Sequence, residues 1–438
     1  MNFENKFITI EEALSKIKSN DIIVSGLASA EAREILSNLH TIADKVKNVT
    51  VTTCLPMVDA EYFANADYKE SFNMAGWFYT GPMRKAHKNG NISFIPNHLH
   101  LAATKRLNHV KPNIYVGNAT SPDKHGFVSL SLSNVYEKRM IEAADLVILE
   151  INPNLPRTLG DVEVHVNDID YMINVDYKIP ELPDVAPNEK DLKIGAFIAD
   201  RINDGDCIQL GIGGIPNAVA ESLYGKKDIG IHTEMFTTGM MKLVKAGVIT
   251  GKNKNFNRGK HVSTFALGTK ELYEFIDDNP SIMIADGHWV NDPYIIGLND
   301  NQVSINTTIE IDLTGQCASE SIGPVQFSGT GGQADTVIGA QRSKNGRSFM
   351  ALYSTAMVKN PETGERKEIS KIVTQLKQGA AVSLSRNDVD FVVTEYGVAA
   401  LRGTSIKERV ERLISIAHPK FRDELYKEAV ETGIIYER

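Results

Sequence analysis

Short apolar segments alternate with longer amphipathic segments along the whole chain. The apolar segments are a few residues long and rich in β-branched side chains, which is typical of buried strands. They are Ile22–Val24, Val49–Thr52, Ile114–Val116, Leu146–Leu149, Cys207–Leu210 and Phe391–Thr394. Because strands that alternate with helices form mostly parallel sheets, the pattern predicts an α/β fold.

One proline-rich segment interrupts this alternation at residues 177–187. It holds three prolines, Pro180, Pro183 and Pro187. Proline can continue neither a helix nor a central strand, so the segment is expected to be a linker. It predicts a domain boundary near residue 185, with one α/β domain in residues 1–185 and a second in residues 186–438.

The two predicted domains begin with similar segments, residues 13–26 and residues 198–211. Each segment is expected to contain a helix, a polar turn, a buried strand and then a glycine that opens the next helix. The matched pairs are Ile17 with Ile202, Asp21 with Asp206, Ile23 with Ile208, and Gly26 with Gly211. A repeated α/β unit explains the match, and a chance likeness between two ordinary strand–turn–helix units is the alternative.

Composition and charge narrow the classes of function. The chain has 438 residues, 42% of them hydrophobic, and a net charge of -8, which argues against a nucleic-acid partner. Its three cysteines, Cys54, Cys207 and Cys317, are far apart, so neither a disulfide framework nor a structural metal site is predicted. Without a signal peptide or a membrane-spanning apolar run, a cytoplasmic protein with no membrane partner is expected.

A glycine-rich turn, Gly211-Ile212-Gly213-Gly214-Ile215-Pro216, follows the apolar segment Cys207–Leu210. A helix is expected after it, from about Asn217. Glycines let a ligand approach the backbone, and the amides at a helix N-terminus favour an anion, so the turn is a candidate phosphate site. A tight structural turn explains it equally well. Pro216 stands where a dinucleotide fingerprint requires glycine.

Glu234 follows the next apolar segment. Alternation predicts that Ile231 and Thr233 lie on one face of a strand, with His232 and Glu234 on the other. A carboxylate at a strand end beside a helix-opening loop can act as a base, a metal ligand or a nucleophile. Taken alone, a solvated glutamate is the simpler interpretation, and His232 is expected to be an ordinary packing residue.

Three further segments carry weaker signals. Residues 328–333, Ser-Gly-Thr-Gly-Gly-Gln, suggest a close backbone approach to a ligand without opening an obvious helix. Asn306 lies upstream and is suited to bind an amide-bearing ligand. The basic segment 252–260 is expected to be a solvated surface loop rather than a phosphate contact.

In combination, these motifs resemble the acetyl-CoA hydrolase/transferase family of CoA-transferases, most closely its 4-hydroxybutyrate CoA-transferases. The resemblance covers almost the whole chain. It rests on residues 121–127 (SPDKHGF), 156–161 (PRTLGD), 211–216 (GIGGIP), 229–235 (IGIHTEM), 327–333 (FSGTGGQ), 385–388 (SRND), 394–397 (TEYG) and 417–422 (AHPKFR).

The resemblance implies two similar α/β domains with the active site between them. It implies that Glu234 is the nucleophile and becomes a glutamyl-CoA thioester. It also implies acyl-CoA and short-chain carboxylate substrates, a homodimer, and neither a permanently bound cofactor nor a metal. The residues expected to contact CoA are Gly211, Ile212, Gly213, Gly214, Ile215, Asn306, Ile309, Gly331 and Gly332.

One departure from the family pattern lies beside the nucleophile. After Glu-Met, relatives usually carry Ser, Asp and Gly, whereas this chain reads Phe236-Thr237-Thr238-Gly239. The departure leaves the acid open among acetate, butyrate and 4-hydroxybutyrate. The acid pocket is expected to draw on residues 25–31 and 76–80. An acyl-CoA hydrolase is the nearest alternative function, followed by a nicotinamide-dependent oxidoreductase and a non-catalytic nucleotide or CoA sensor.

Overall fold

A seven-stranded, fully parallel sheet forms the core of the first half of the protein. The computed structural model describes residues 3–359 and 363–436. The strands of this half are β1 (Ile22–Ser25), β2 (Val49–Cys54), β3 (Phe72–Phe78), β4 (Ile92–Phe94), β5 (Ile114–Ala119), β6 (Phe127–Ser129), β7 (Leu146–Ile151), β8 (Glu163–His165) and β9 (Tyr171–Asn174). The sheet has the order β4-β3-β2-β1-β5-β7-β9, and β6 pairs with β8 beside it.

Six short α-helices accompany this sheet in the described residues of the first half. They are α1 (Ile10–Leu14), α2 (Arg33–Asn38), α3 (Glu61–Ala64), α4 (Gly81–Ala86), α5 (Thr104–Leu107) and α6 (Glu137–Ala143). Helix α1 begins with a capping box, in which the Thr9 hydroxyl accepts from the Glu12 amide and the Glu12 carboxylate accepts from the Thr9 amide.

The second half is built around a six-stranded sheet, β11-β10-β16-β21-β25-β26, whose last pair is antiparallel. Its strands are β10 (Cys207–Leu210), β11 (Gly230–Ile231), β16 (Gln302–Thr307), β21 (Arg347–Ala351), β25 (Phe391–Thr394) and β26 (Gly397–Ala400). Its helices are α7 (Glu189–Ala199), α8 (Gly214–Ser222), α9 (Thr238–Lys245), α10 (Lys270–Ile276), α11 (Gly287–Val290), α12 (Pro293–Ile296), α13 (Gln333–Arg342), α14 (Ile406–Ile416) and α15 (Arg422–Glu431).

Smaller sheets surround the second sheet. Their strands are β12 (Met235–Phe236), β13 (His261–Ser263), β14 (Phe265–Ala266), β15 (Ile282–Ile284), β17 (Glu310–Asp312), β18 (Cys317–Ala318), β19 (Ser321–Ile322), β20 (Val325–Gln326), β22 (Thr355–Lys359), β23 (Arg366–Ser370) and β24 (Ile372–Val373). The predicted α/β class with mostly parallel sheets is therefore confirmed, and each of the six predicted strands is present. No helix in the described ranges is long and apolar enough to cross a membrane.

The paired segments at the start of each half share the turn and the strand, but the predicted helix after the glycine differs, because Gly26 precedes a short 3-10 turn at Ala28–Ala30 and Gly211 precedes the longer helix α8. Strand β1 lies between β2 and β5, and β10 lies between β11 and β16, in both cases with parallel pairing. The Asp21 carboxylate accepts from the Lys18 amide at 2.7 Å, and the Asp206 carboxylate accepts from the Asn203 amide at 2.6 Å. An aspartate that closes the same turn before the same strand supports a repeated α/β unit.

Residues 175–188 contain neither helix nor strand, as expected of a linker. The first sheet ends before this segment and the second begins after it. The boundary near residue 185, between domains of residues 1–185 and 186–438, stays a prediction, because one continuous apolar core runs through both halves.

Candidate functional site

A cavity of about 280 Å³ opens between the two sheets, and Glu234 forms part of its wall. The ends of β10 and β16 contribute to the wall, at the point where the strand order of the second sheet reverses. This is where open α/β sheets bind ligands. The first half contributes Leu27, Cys54, Leu55, Phe78 and Leu99. The second half contributes Gln209, Leu210, Gly211, Ile212, Pro216, Met235, Phe265, Ile305, Asn306, Thr307, Ser319 and Ser328 to Gln333.

Glu234 lies in a bend rather than within a continuous strand. Strand β11 ends at Ile231, and the chain turns before it continues as β12 in a different sheet. The predicted alternation across residues 231–234 is therefore wrong in detail. The Glu234 carbonyl accepts from the amides of Thr264 at 2.9 Å and Phe265 at 3.2 Å. These bonds fix the bend and leave the side chain free to enter the cavity.

Two neighbouring groups favour the charged form of the Glu234 carboxylate. The Asn291 side-chain amide donates to its Oε2 at 2.9 Å, and the Gly332 backbone lies close against the carboxylate and lowers its pKa. Burial is the largest influence and raises the pKa of Glu234 to about 7, helped by the nearby Asp335 charge and opposed by these two groups. The group is therefore balanced between its acid and its nucleophilic carboxylate form near neutral pH.

Glycine is required at two positions next to this carboxylate. A side chain at Gly332 would collide with the Glu234 carboxylate and the Asn291 amide. Gly331 has a φ of +54°, a conformation that other residues rarely adopt. The glycine-rich segment also opens the ten-residue helix α13, contrary to the expectation that no helix follows it.

The first glycine turn lies only partly in the cavity wall. Gly211 and Ile212 line the cavity, while Gly213, Gly214 and Ile215 lie outside it. Helix α8 begins at Gly214, three residues before the predicted start, and a side chain at Gly214 would collide with the Asp191 carboxylate. Gly214 thus has a packing role, and contact between residues 213–215 and CoA stays a prediction.

Asn306 and Ile309 occupy different places. Asn306 lines the cavity, and its amide donates to the Ser304 hydroxyl at 2.9 Å and the Thr336 hydroxyl at 3.1 Å. Ile309 is outside the wall, and its amide donates to the Ala318 carbonyl at 3.2 Å. Of the CoA contacts predicted in this region, Asn306 has the better access to a ligand.

His232 packs away from the cavity, as expected of a structural histidine. Its Nε2 donates to the Val290 carbonyl at 2.8 Å, and burial beside Lys254 lowers its pKa to about 3. Lys254 itself is buried and donates to the carbonyls of Ile231 and Lys260 at 2.8 and 2.9 Å. The expectation of a fully solvated basic loop is therefore wrong at this lysine.

The residues that depart from the family pattern after Glu234, Phe236 to Thr238, have structural roles. Phe236 is fully buried between the rings of His261 and Phe275. The Thr237 hydroxyl caps α9, and the Thr238 hydroxyl accepts from the Thr269 amide at 3.1 Å. None of the three residues lines the cavity. The segments 25–31 and 76–80 contribute Leu27 and Phe78 to that wall.

Asn291 is the main site residue that sequence reasoning missed. It follows the short helix α11, far along the chain from Glu234, and no local motif marks it. Among the described residues, no cluster of three or more His, Cys, Asp or Glu is arranged to hold a metal ion.

Comparison with known proteins gives consistent matches along the chain. Residues 1–182 match the acetyl-CoA hydrolase/transferase N-terminal domain, and residues 268–429 match the C-terminal domain of the same family. A 4-hydroxybutyrate coenzyme A transferase from Clostridium kluyveri is 40% identical over 97% of each chain. A succinyl-CoA:cyclohexane-1-carboxylate CoA transferase from Geobacter metallireducens is 40% identical over 98% of this chain and 95% of its own. The crystal structure of RipA from Yersinia pestis superposes with a TM-score of 0.92 at 33% identity and covers 99% of both chains.

Proposed function

This chain belongs to the acetyl-CoA hydrolase/transferase family and is a CoA-transferase, and we propose that it works through a covalent glutamyl-CoA thioester on Glu234. The observation that carries the proposal is the position of Glu234. Its carboxylate lies in the wall of a cavity between the two sheets, beside the Asn291 amide and the Gly332 backbone. A carboxylate placed in this way can attack a thioester carbonyl.

The proposed reaction moves CoA from an acyl-CoA to Glu234 and then to a second carboxylic acid. The Glu234 carboxylate attacks the acyl-CoA carbonyl, which forms a mixed anhydride and releases CoA thiolate. The thiolate then attacks the glutamyl carbonyl, which forms the glutamyl-CoA thioester and releases the first acid as a carboxylate. A second carboxylate reverses these steps and leaves as its own CoA thioester. Because each step replaces one activated acyl bond by another, no ATP is required, and ping-pong kinetics follow.

Asn291 and Gly332 are suited to stabilise the charge that develops in these steps. When the thiolate attacks the glutamyl carbonyl, negative charge collects on the glutamyl oxygen. The Asn291 amide lies 2.9 Å from Oε2, and the Gly332 amide favours the charged form of the same side chain. Preorganised donors of this kind typically accelerate acyl transfer by about 10²–10³-fold each.

The character of the cavity wall supports a proposal for the class of acid. The part of the cavity wall that the first half contributes is mostly apolar. It includes Leu27, Leu55, Phe78 and Leu99, and the second half adds Phe265. Among the described residues of the wall, Lys, Arg and His are absent, so a second carboxylate would be buried without a cationic partner. The wall therefore favours short acids with one carboxylate, such as acetate, butyrate or 4-hydroxybutyrate.

Mass spectrometry of the protein after incubation with acyl-CoA tests this proposal. We expect a CoA adduct on the peptide that contains Glu234, and no adduct in Glu234→Gln with deamidation excluded. An adduct on another residue, or equal turnover by the variant, would contradict the role of Glu234. Sustained CoA release without an acceptor acid would instead favour the hydrolase alternative.

A further inference from the structure

His100, which belongs to the first half, contacts both elements that carry the donors to Glu234. It lies in a single helical turn, Leu99–Leu101, and its side chain is 16% exposed. Its neighbour Leu99 lines the cavity. His100 is therefore close to the candidate site without forming part of the cavity wall.

On one side, His100 binds Asp335 on helix α13. The His100 ring Nδ1 lies 2.8 Å from Asp335 Oδ1, and the His100 amide donates to Asp335 Oδ2 at 3.1 Å. A nitrogen that faces a carboxylate must carry the proton, so the ring donates here. Asp335 is 1% exposed and lies three residues after Gly332, which precedes the first residue of α13. This pair consequently fixes the helix end that presents the Gly332 amide.

On the other side, His100 binds the segment that carries Asn291. The His288 ring Nδ1 donates to the His100 carbonyl at 2.7 Å. His288 lies in α11, three residues before Asn291, and the two histidine rings are stacked 6.2 Å apart. The same residue of the first half thus holds the segments of both donors in the second half.

We propose that His100 is a positioning residue, which sets the Asn291 amide and the Gly332 amide against the Glu234 carboxylate. This inference rests on the proposed role of Glu234. Without the His100 ring, the buried Asp335 carboxylate loses a charge-assisted hydrogen bond, and α13 can shift at its first turn. A displacement of about 1 Å in a catalytic donor can reduce the rate by about 10²-fold.

Substitutions at residues 98, 100 and 335 provide a matched set. His100→Ala removes the ring, while His100→Asn retains a side-chain donor close to the position of Nδ1. His98→Ala is the control, because His98 is 51% exposed and approaches the same Asp335 oxygen only at 3.8 Å. The rate of adduct formation in a single turnover is measured per active site, with sites counted by the final amount of CoA adduct.

We expect His100→Ala to slow adduct formation by about 10- to 100-fold while the KM for acyl-CoA changes by less than about twofold. His100→Asn should recover most of the rate, and His98→Ala should match the wild type. Asp335→Ala should show a loss similar to that of His100→Ala, and the double variant should be no slower than either single variant.

The proposal is overturned if His100→Ala forms the adduct at the wild-type rate per site, or if His98→Ala slows adduct formation as much as His100→Ala does. It is also overturned if the double variant loses as much rate as the two single variants combined. A role in folding alone would lower the number of active sites without changing the rate at each. Failure of the proposed function is a separate result, since then the wild type itself would form no adduct on Glu234.

Discussion

Glu150 in the first sheet and Glu234 beside the second have the same acidity but different surroundings. Burial is the main cause that raises the pKa of each to about 7. Both Glu150 oxygens are occupied inside the first half, because Oε1 accepts from the Ile35 amide at 2.8 Å and Oε2 from the Tyr177 hydroxyl at 2.7 Å. Glu234 instead lines a cavity that a substrate can enter. A raised pKa alone therefore does not identify a nucleophile. Glu234 differs from Glu150 because its carboxylate is accessible from a cavity.

The strongest test of this contrast replaces each glutamate with glutamine. Glu234→Gln should reduce transfer by about 10³-fold or more, because an amide cannot form the anhydride. Glu150→Gln should lower the thermal unfolding midpoint, since the amide cannot satisfy the same donors, but it should retain kcat per folded molecule. Steady-state transfer assays combined with thermal melts check both results. Equal losses of kcat in the two variants would contradict the assignment of a catalytic role to Glu234 and a structural role to Glu150.

A second test compares two crowded glycines. Gly332→Ala should reduce kcat by about 10²- to 10³-fold, because its methyl group collides with Glu234 and Asn291 and displaces the donors. Gly195→Ala is the control, since its methyl group would collide with Ala218 between α7 and α8, far along the chain from these donors. We expect a lower melting temperature and an unchanged kcat per active site for the control. Wild-type kcat in Gly332→Ala would show that the close approach is not required.

The contrast also shows how far sequence reasoning reached. Strands such as β1 and β10 were predictable because compact runs of apolar residues are local signals. The bend at Glu234 was not, because it depends on the amides of Thr264 and Phe265, which are distant in sequence. Glu234 was found through the ordered motifs around it rather than from its local pattern.

The residues that contact the Glu234 carboxylate were only partly predictable from the sequence. Gly332 lies in a visible glycine-rich segment, so sequence alone could nominate it. Asn291 lies after a four-residue helix without a recognisable motif, and only the fold brings its amide to 2.9 Å from the carboxylate. His100 is further removed, because its connection to the site passes through Asp335 and His288. Contacts of this kind have no local sequence signature.

A third test removes the Asn291 amide. Asn291→Ala should reduce kcat by about 10²-fold, since one donor to the glutamyl oxygen is lost. In the wild type, activity should rise with pH through about 7, because Glu234, as the proposed nucleophile, must be ionised to attack. The hydrogen bond from Asn291 lowers the pKa of Glu234. Without this bond, the rise of activity with pH should therefore move to higher pH. A profile of kcat/KM against pH measures both effects, and an unshifted profile would contradict the assigned hydrogen bond.

The smallest expected effect concerns stability in the first half. Burial raises the pKa of Glu31 to about 8, against an ordinary value of 4.5. Between these values the folded protein binds more protons at this group than the unfolded chain does, so stability falls as pH rises. His232 and His261, with pKa values lowered to about 3 and 4, act in the opposite direction below pH 6.5.

Above pH 6.5 these two histidines are neutral in the folded and the unfolded protein, so their opposing effect is absent in the window from pH 6.5 to pH 8. We expect the urea midpoint of the wild type to fall across this window, and Glu31→Gln to flatten the decline because glutamine does not ionise. The exposed Glu11→Gln serves as the control and should keep the wild-type slope. If Glu31→Gln declined as steeply as the wild type, Glu31 would not take up a proton on folding.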